Sequence, residues 1–80
     1  MQVMKDRVTR ILNEIRPEFD FTEPVNFIEN GMLDSFDIFN LVNSLDKEFG
    51  ISIDGMDILA ENFSSLQKIE SLLYKNGVRP

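Results

Sequence analysis

Helical periodicity is the feature of this sequence that most constrains its fold. Apolar residues recur at steps of three or four along several segments, and no segment shows the sustained alternation that a half-buried strand needs. The first such segment, from about Gln2 to Ile15, contains an apolar stripe at helical spacing: Met4, Val8, Ile11, Leu12 and Ile15. We expect this helix to end before Pro17, because proline disfavours the helical conformation of the residue that precedes it.

A second helix is predicted from Asp34, its N-cap, to Phe49, with Gly50 as the residue that ends it. Asp37 lies three residues after Asp34 and resembles the acidic half of a capping box. The face expected in the core is apolar: Ile38, Leu41, Val42, Leu45 and Phe49. A second stripe points away from the core, because residues 36 and 38 are about 200° apart on a helix of ~3.6 residues per turn. This outward stripe comprises Phe36, Phe39, Asn40, Asn43 and Lys47.

The long connection between these helices, residues 16–33, is too apolar to be a free linker. Its apolar side chains are those of Phe19, Phe21, Val25, Phe27 and Ile28. We therefore expect a packed loop that folds back over the helices. One short helical turn is expected within it, ending at Gly31, where a positive φ costs little.

The C-terminal part of the chain is also predicted to be mainly helical. Residues 51–53 are expected to form an extended connector, residues 54–60 a short third helix, and residues 61–63 a corner. The last helix starts with the capping-box pattern Ser64-Ser65-Leu66-Gln67 and ends at Gly77. Its expected buried face comprises Leu66, Ile69, Leu72 and Leu73.

The predicted fold class is therefore all-α, with residues 1–80 forming one domain. It is a small four-helix bundle of three principal helices and a short third helix, with the long packed loop between helices one and two. The 80 residues contain no cysteine and no histidine. This removes disulfides, thiolate chemistry, the usual general base and the commonest metal ligand.

The remaining composition narrows the expected location and chemistry. No apolar run approaches the ~20 residues of a membrane span, and charged side chains interrupt the N-terminus where a signal peptide needs an apolar core. We therefore expect a cytoplasmic protein with no membrane insertion, and we also expect it to be a monomer. We also expect no catalytic residue and no metal site.

Negative charge is concentrated in the middle of the chain, whose overall net charge is −6. Residues 17–46 contain seven acidic and no basic side chains, whereas the other fifty residues contain eight basic and seven acidic ones. Such a segment attracts basic protein surfaces and repels nucleic acid and anionic lipid. We therefore expect no nucleic-acid partner. The alternative is a solvated acidic surface that only keeps the protein in solution.

Ser35 lies within this acidic segment, in the run Gly31-Met32-Leu33-Asp34-Ser35-Phe36-Asp37 and on the expected first turn of the second helix. A phosphate attached to its hydroxyl would meet the unpaired N–H groups and the positive dipole end of that helix. A role as the nucleophile of a hydrolase is disfavoured, because the chain lacks histidine and the flanking residues do not form a Gly-x-Ser-x-Gly elbow. The remaining alternative is structural, with Ser35 only satisfying N–H groups at the helix start.

With these features together, the chain resembles the acyl carrier protein family, including its peptidyl and aminoacyl carrier domains. The resemblance covers nearly the whole chain and includes the Gly31–Asp37 segment and a second helix that ends Leu45-Asp46-Lys47-Glu48-Phe49-Gly50-Ile51. It implies that Ser35 receives a 4′-phosphopantetheine arm through a phosphodiester, installed from coenzyme A by a phosphopantetheinyl transferase. Acyl or aminoacyl groups would then be carried as thioesters on the terminal sulfur of the arm.

The resemblance also implies roles for the neighbours of Ser35. Asp34, which precedes the modified serine, is expected to help orient the transferase complex. The second helix is the recognition helix of the family, which implies that its outward stripe contacts partners: Phe36, Phe39, Asn40, Asn43 and Lys47. The alternative for the two phenylalanines is that they fill the core under the long loop. The implied partners are the transferase, an acyl- or aminoacyl-activating enzyme, and a downstream synthase or transferase.

The outward stripe departs from one pattern of the family. Carriers of bacterial fatty acid synthesis usually have more acidic residues there, whereas this chain has Asn40, Asn43 and Lys47. Fewer carboxylates weaken complementarity to strongly basic partner surfaces. Polyketide, nonribosomal peptide and D-alanyl transfer pathways are therefore comparable alternatives to fatty acid synthesis. The corner Glu61-Asn62-Phe63 also resembles that of aminoacyl and peptidyl carriers.

Two other functions remain open from the residues alone. An unmodified helical adaptor would dock partners through Phe36 and Phe39 and would not need Ser35. A calcium binder is suggested by the acidic residues, but the chain lacks the spaced aspartates and the bidentate glutamate of an EF-hand loop.

Overall fold

The computed structural model describes residues 3–79, and within them the chain forms three α-helices and two short 3₁₀ helices. The elements are α1 (Val3–Ile15), α2 (Ser35–Phe49), the 3₁₀ helices Gly55–Asp57 and Ala60–Phe63, and α3 (Leu66–Lys75). Residues 3–79 contain no β-strand, and the all-α prediction is confirmed. The bounds predicted for the first two helices are also confirmed, except that Gln2 lies outside the described residues.

One hydrophobic core lies where α1 packs against α2 and α3. The apolar stripe of α1 faces this core, with Val8 and Leu12 fully buried and Ile15 half-buried. On α2 the predicted core face is buried except for Phe49, whose partly exposed ring lies 4.3 Å from the guanidinium of Arg7. The largest fully buried side chains come from all three helices, the long loop and the second 3₁₀ helix: Phe21, Phe27, Phe63, Leu12, Leu41, Leu45, Ile69, Leu73 and Val8.

The connection between α1 and α2 packs against the core, as predicted. The rings of Phe21 and Phe27 are almost fully buried and meet edge to face, with their centroids 5.0 Å apart. The predicted helical turn is present over residues 26–30, closed by a backbone hydrogen bond of 3.0 Å, and Gly31 follows it with a φ of 70°. Val25 is an exception among the apolar residues of this loop, because it is exposed.

The predicted short third helix over residues 54–60 is only a 3₁₀ helix at Gly55–Asp57, and the second 3₁₀ helix begins at Ala60, the last residue of that range. Ile58 leaves the helical region with φ −82° and ψ 73°, and Leu59 is extended. The non-helical backbone at these two residues interrupts the segment, so it cannot form a continuous α-helix. The predicted corner at residues 61–63 lies within the second 3₁₀ helix, which buries Phe63 completely.

The last helix begins one residue later than its capping-box pattern predicts. Ser65 is the N-cap, and its hydroxyl oxygen accepts a hydrogen bond from the N–H of Lys68 at 3.1 Å. The Ser64 hydroxyl donates to the carbonyl of Glu61 at 2.7 Å, and the Ser64 carbonyl accepts from the N–H of Phe27 at 2.8 Å. The capping box predicted to start at Ser64 is therefore wrong, because Ser64 belongs to the preceding turn. The predicted buried face of this helix packs into the core.

Candidate functional site

The candidate site lies at the N-terminal end of α2, where Ser35 is the first helical residue and is exposed. The residues before it are anchored, because Met32 and Leu33 are buried and their N–H groups donate to the carbonyl of Phe27 at 2.8 and 3.3 Å. Ile38, which follows Ser35 by about one helical turn, is buried as well. Ser35 is therefore presented to solvent between two segments that are fixed in the core.

Two aspartates close the front of α2 with reciprocal hydrogen bonds. Asp34 Oδ1 accepts from the N–H of Asp37 at 2.9 Å, and Asp37 Oδ2 accepts from the N–H of Asp34 at 3.0 Å. The predicted N-cap and capping box are both confirmed. These aspartates perform the capping that was the structural alternative for Ser35.

Arg16, just after α1, joins this capping box, although the sequence pattern did not predict this contact. Its Nε and Nη2 atoms lie 2.9 and 2.8 Å from Asp37 Oδ2. Nη2 also lies 3.4 Å from Asp34 Oδ2, and Nη1 lies 3.2 Å from Glu18 Oε2. One guanidinium group therefore contacts three carboxylates of the acidic segment.

The contacts with Arg16 keep Asp37 charged although it is only 5% exposed. Burial by itself raises the pKa of Asp37, but hydrogen bonds from Arg16 and from the N–H of Asp34 outweigh this effect and hold the pKa below its ordinary value. Hydrogen bonds to Asp37 and then to Glu18 raise the pKa of Arg16. Arg16 and Asp37 therefore form an ionised pair at the front of α2 at neutral pH.

The sequence contains a pattern that could have indicated an ion pair at Arg16. Arg16 immediately precedes the acidic segment of residues 17–46, which contains no cation of its own. Because opposite charges favour one another's ionised forms at short range, this position indicates an ion pair at the end of α1. The partner is not evident from the pattern, because Asp37 is 21 positions away along the chain.

The outward face of α2 is exposed next to Ser35. Phe36 is 72% exposed and Phe39 is 62% exposed, so neither ring fills the core beneath the long loop. Asn40, Asn43 and Lys47 are exposed as well. Exposed aromatic side chains are enriched at surfaces that contact other proteins, and the role of this face in partner binding stays a prediction.

The structure has further exposed features besides the outward face of α2. Met56 is 84% exposed and Leu59 is 50% exposed, and no sequence pattern indicated a role for either. A surface cleft of about 480 Å³ is lined by Lys5 and by residues 21–27 and 64–68. Ser35 does not line this cleft.

Residues 3–79 contain no group of three or more histidine, cysteine, aspartate or glutamate side chains placed to hold a metal ion. No helix in this part of the chain is both long enough and apolar enough to cross a membrane.

Comparison with known proteins adds evidence on the family. The sequence model of the family described as "Phosphopantetheine attachment site" matches residues 3–73. The matched range contains α1, the long loop, α2, both 3₁₀ helices and most of α3. Searches among curated proteins and among solved structures found no significant match.

Proposed function

Because this chain belongs to the phosphopantetheine-attachment family, we propose that it is a non-catalytic carrier whose Ser35 holds the cofactor. The family binds 4′-phosphopantetheine covalently, so the cofactor and the general carrier role follow from membership. The attachment residue, the partner enzymes and the cargo are the parts that we propose.

The observation that best supports Ser35 is its exposure at the first turn of a long helix. Ser52 and Ser71 are also exposed, but neither lies at the N-terminus of an α-helix. Ser65 does lie at a helix start, but its hydroxyl oxygen already accepts the N–H of Lys68. Of these serines, Ser35 combines an accessible hydroxyl with a position where N–H groups and the helix dipole favour an attached phosphate.

The surroundings of Ser35 fit a phosphodiester. The side chain is exposed, so a group attached to it does not disturb core packing. Asp34 and Asp37 oppose an additional negative charge, whereas Arg16 contacts both carboxylates and offsets part of this repulsion. The bound group supplies a terminal thiol, which the cysteine-free chain lacks, and the residues of the protein hold and present it.

We propose that partner enzymes contact the exposed face of α2. These partners are the phosphopantetheinyl transferase, an acyl- or aminoacyl-activating enzyme, and a downstream synthase or transferase. Phe36 and Phe39 would supply the apolar contact area, with a polar rim formed by Asn40, Asn43 and Lys47. The side chain of Asp34 is 63% exposed although it contacts Arg16, so it remains accessible for orienting the transferase.

The proposed cargo is an acyl or aminoacyl intermediate, carried as a thioester between enzymes in the cytoplasm. The neutral and basic residues Asn40, Asn43 and Lys47 on the exposed face reduce complementarity to strongly basic partners. This supports polyketide, nonribosomal peptide and D-alanyl transfer pathways on equal terms with fatty acid synthesis. Loading assays of the modified protein with activating enzymes from each pathway would distinguish them.

Intact-protein mass spectrometry tests the attachment site directly. The wild-type protein coexpressed with a broad-specificity phosphopantetheinyl transferase should gain the mass of one phosphopantetheine group. The Ser35→Ala variant should gain nothing, and the control variants Ser52→Ala and Ser71→Ala should be modified like the wild type. An unmodified wild-type protein, or equal modification of Ser35→Ala, would show that the proposal is wrong.

The exposure of Phe36 and Phe39 also supports a second candidate, an unmodified adaptor that docks partners through these two rings. The two candidates differ in their dependence on Ser35. An adaptor would bind its partner equally well as Ser35→Ala, and would lose binding only when both phenylalanines are replaced. A carrier would lose cargo transfer in the Ser35→Ala variant.

A further inference from the structure

Three nitrogen atoms surround one oxygen atom at the front of α2. Asp37 Oδ2 accepts hydrogen bonds from Arg16 Nε at 2.9 Å and from the backbone N–H of Asp34 at 3.0 Å, and it lies 2.8 Å from Arg16 Nη2 in an ion pair. Two of the three nitrogen atoms belong to Arg16. The guanidinium therefore binds the same oxygen that holds the N–H of the N-cap residue.

This arrangement connects Arg16 to the backbone next to Ser35. Arg16 orients the Asp37 carboxylate, and that carboxylate holds the Asp34 N–H in the extended N-cap conformation, with φ −112° and ψ −175°. Ser35 is the next residue along the chain and the first of the helix. The conformation of the peptide that presents Ser35 thus depends on a contact made from the end of α1.

Charge gives Arg16 a second way to stabilise this turn. Asp34 and Asp37 are close enough to share hydrogen bonds, and their two carboxylates repel each other unless a cation lies between them. Arg16 contacts both, at 3.4 and 2.8 Å. A lysine could supply the charge, but its single ammonium group cannot reproduce the paired Nε and Nη2 contacts of the guanidinium.

We infer that Arg16 is a positioning residue for the modification of Ser35, because it keeps the first turn of α2 in the conformation that the modifying transferase binds. The inference rests on the proposed attachment of the cofactor to Ser35. Arg16 touches neither substrate nor reacting atoms in this role and acts through Asp37. Without Arg16, the first turn opens in part of the molecules, and the transferase binds only the remaining fraction.

When fewer carrier molecules have the first turn of α2 in the conformation that the transferase binds, the apparent affinity of the transferase for the carrier falls. The rate of transfer within the bound complex does not change. We therefore expect Arg16→Gln to raise the KM of the transferase for the apo carrier by roughly three- to tenfold, which corresponds to losing a helix cap, with kcat little changed. Arg16→Lys should give an intermediate KM, because it restores the charge without the paired contacts.

Arg7→Gln is a matched control at the other end of α2. Arg7 also binds a carboxylate of α2, that of Glu48, and its side chain is 39% exposed, close to the 31% of Arg16. Its contacts lie at the C-terminal end of the helix, so its removal should leave the KM unchanged. Circular dichroism would first establish the temperature at which all variants are folded, and kinetics would be measured there.

Amide hydrogen exchange gives a readout that does not depend on the transferase. In Arg16→Gln the N–H groups of Asp34 and Asp37 should exchange faster, while those in the middle of α2 should exchange as in the wild type. Faster exchange along the whole helix would instead indicate general destabilisation and would contradict the inference. If Arg16→Gln does not fold, the comparison of Arg16→Lys with Arg7→Lys tests the same contrast.

The outcomes separate this inference from the function on which it rests. A wild-type protein that gains no phosphopantetheine overturns both. A wild-type protein that is modified at Ser35, with Arg16→Gln modified at the same KM, overturns only the role of Arg16. An equal rise in KM for Arg7→Gln and Arg16→Gln also overturns it, because the effect would then not be specific to the front of the helix.

Discussion

Both ends of α2 are tied to the α1 side of the domain by arginine–carboxylate pairs, but the two ends differ in burial and redundancy. At the N-terminal end, the Asp37 side chain is 7% exposed and Arg16 is its cationic partner. At the C-terminal end, the Glu48 side chain is 26% exposed and binds two arginines, Arg7 at 2.7 Å and Arg10 at 2.8 Å.

The backbone groups at the two ends are satisfied in different ways. At the front, the N–H of Asp34 depends on a carboxylate that is itself held by an ion pair. At the back, Arg7 donates directly to the carbonyl of Glu48 at 2.8 Å, and Gly50 ends the helix with a φ of 64°. The back therefore has several independent contacts, whereas at the front the Asp34 N–H and Arg16 share one buried carboxylate, that of Asp37. The end next to the candidate attachment residue is the end that a single substitution can change.

Of the substitutions that test the difference between the two ends of α2, replacement of Asp37 should have the largest effect on stability. Asp37→Ala removes the acceptor of the Asp34 N–H and leaves Arg16 without its buried partner, so the free energy of unfolding should fall by roughly 2 kcal/mol. Glu48→Ala should cost distinctly less, because the Glu48 side chain is 26% exposed and solvent weakens its pairs with Arg7 and Arg10. Urea unfolding measures both variants, and equal losses would contradict the difference between the two ends.

Acid should remove the contribution of Asp37 to stability. Its pKa is lower in the folded state than in the unfolded chain, so its contribution is present above about pH 4 and is lost as the pH falls through the folded value. At neutral pH the wild type should be more stable than Asp37→Asn by roughly 1 kcal/mol. The difference in unfolding free energy between the two proteins should be the same at pH 7 and pH 5 and smaller at pH 3. A gap that stays constant down to pH 3 would show that ionisation of Asp37 is not the cause.

The exposed face between the two ends should contribute least to stability. Replacing both Phe36 and Phe39 by serine removes no core contact, so the free energy of unfolding should change by no more than about 0.5 kcal/mol. Transfer of phosphopantetheine should nevertheless slow at low carrier concentration, because apolar partner contacts are lost. Tyr74→Ser, at a 46% exposed aromatic residue of α3, is the matched control and should have neither effect.

The sequence predicted α2 and its front well, because the signals there are local. Asp34 and Asp37 are three residues apart, and the apolar periodicity and Gly50 determine where the helix continues and ends. The same reasoning placed Phe36 and Phe39 opposite the core face, and both are exposed. Ser35 could therefore be located on a first turn without knowledge of the tertiary structure.

The parts that the sequence did not predict depend on contacts between distant residues or on nearly equal local choices. The pair between Arg16 and Asp37 joins residues 21 positions apart. Ser64 and Ser65 are both good N-cap residues by type. In the structure Ser65 is the N-cap, and the carbonyl of Ser64 accepts a hydrogen bond from the distant Phe27 N–H. The segment that contains Ile58 has a helical pattern, but it forms 3₁₀ turns that place Phe63 in the core.

The hydrogen bonds of Phe27 divide the long loop into two parts. The part after Phe27 is constrained in length, and the part before it should tolerate insertions. The Phe27 carbonyl binds the N–H groups of Met32 and Leu33, and its own N–H binds Ser64. An insertion between Phe27 and Ser35 would break one of these bonds or displace the serine. Residues 22–25 are exposed, so insertions should be tolerated there. The eight positions from Phe27 to Ser35 thus fix the position of the serine relative to Ser64 and to α3, which follows it.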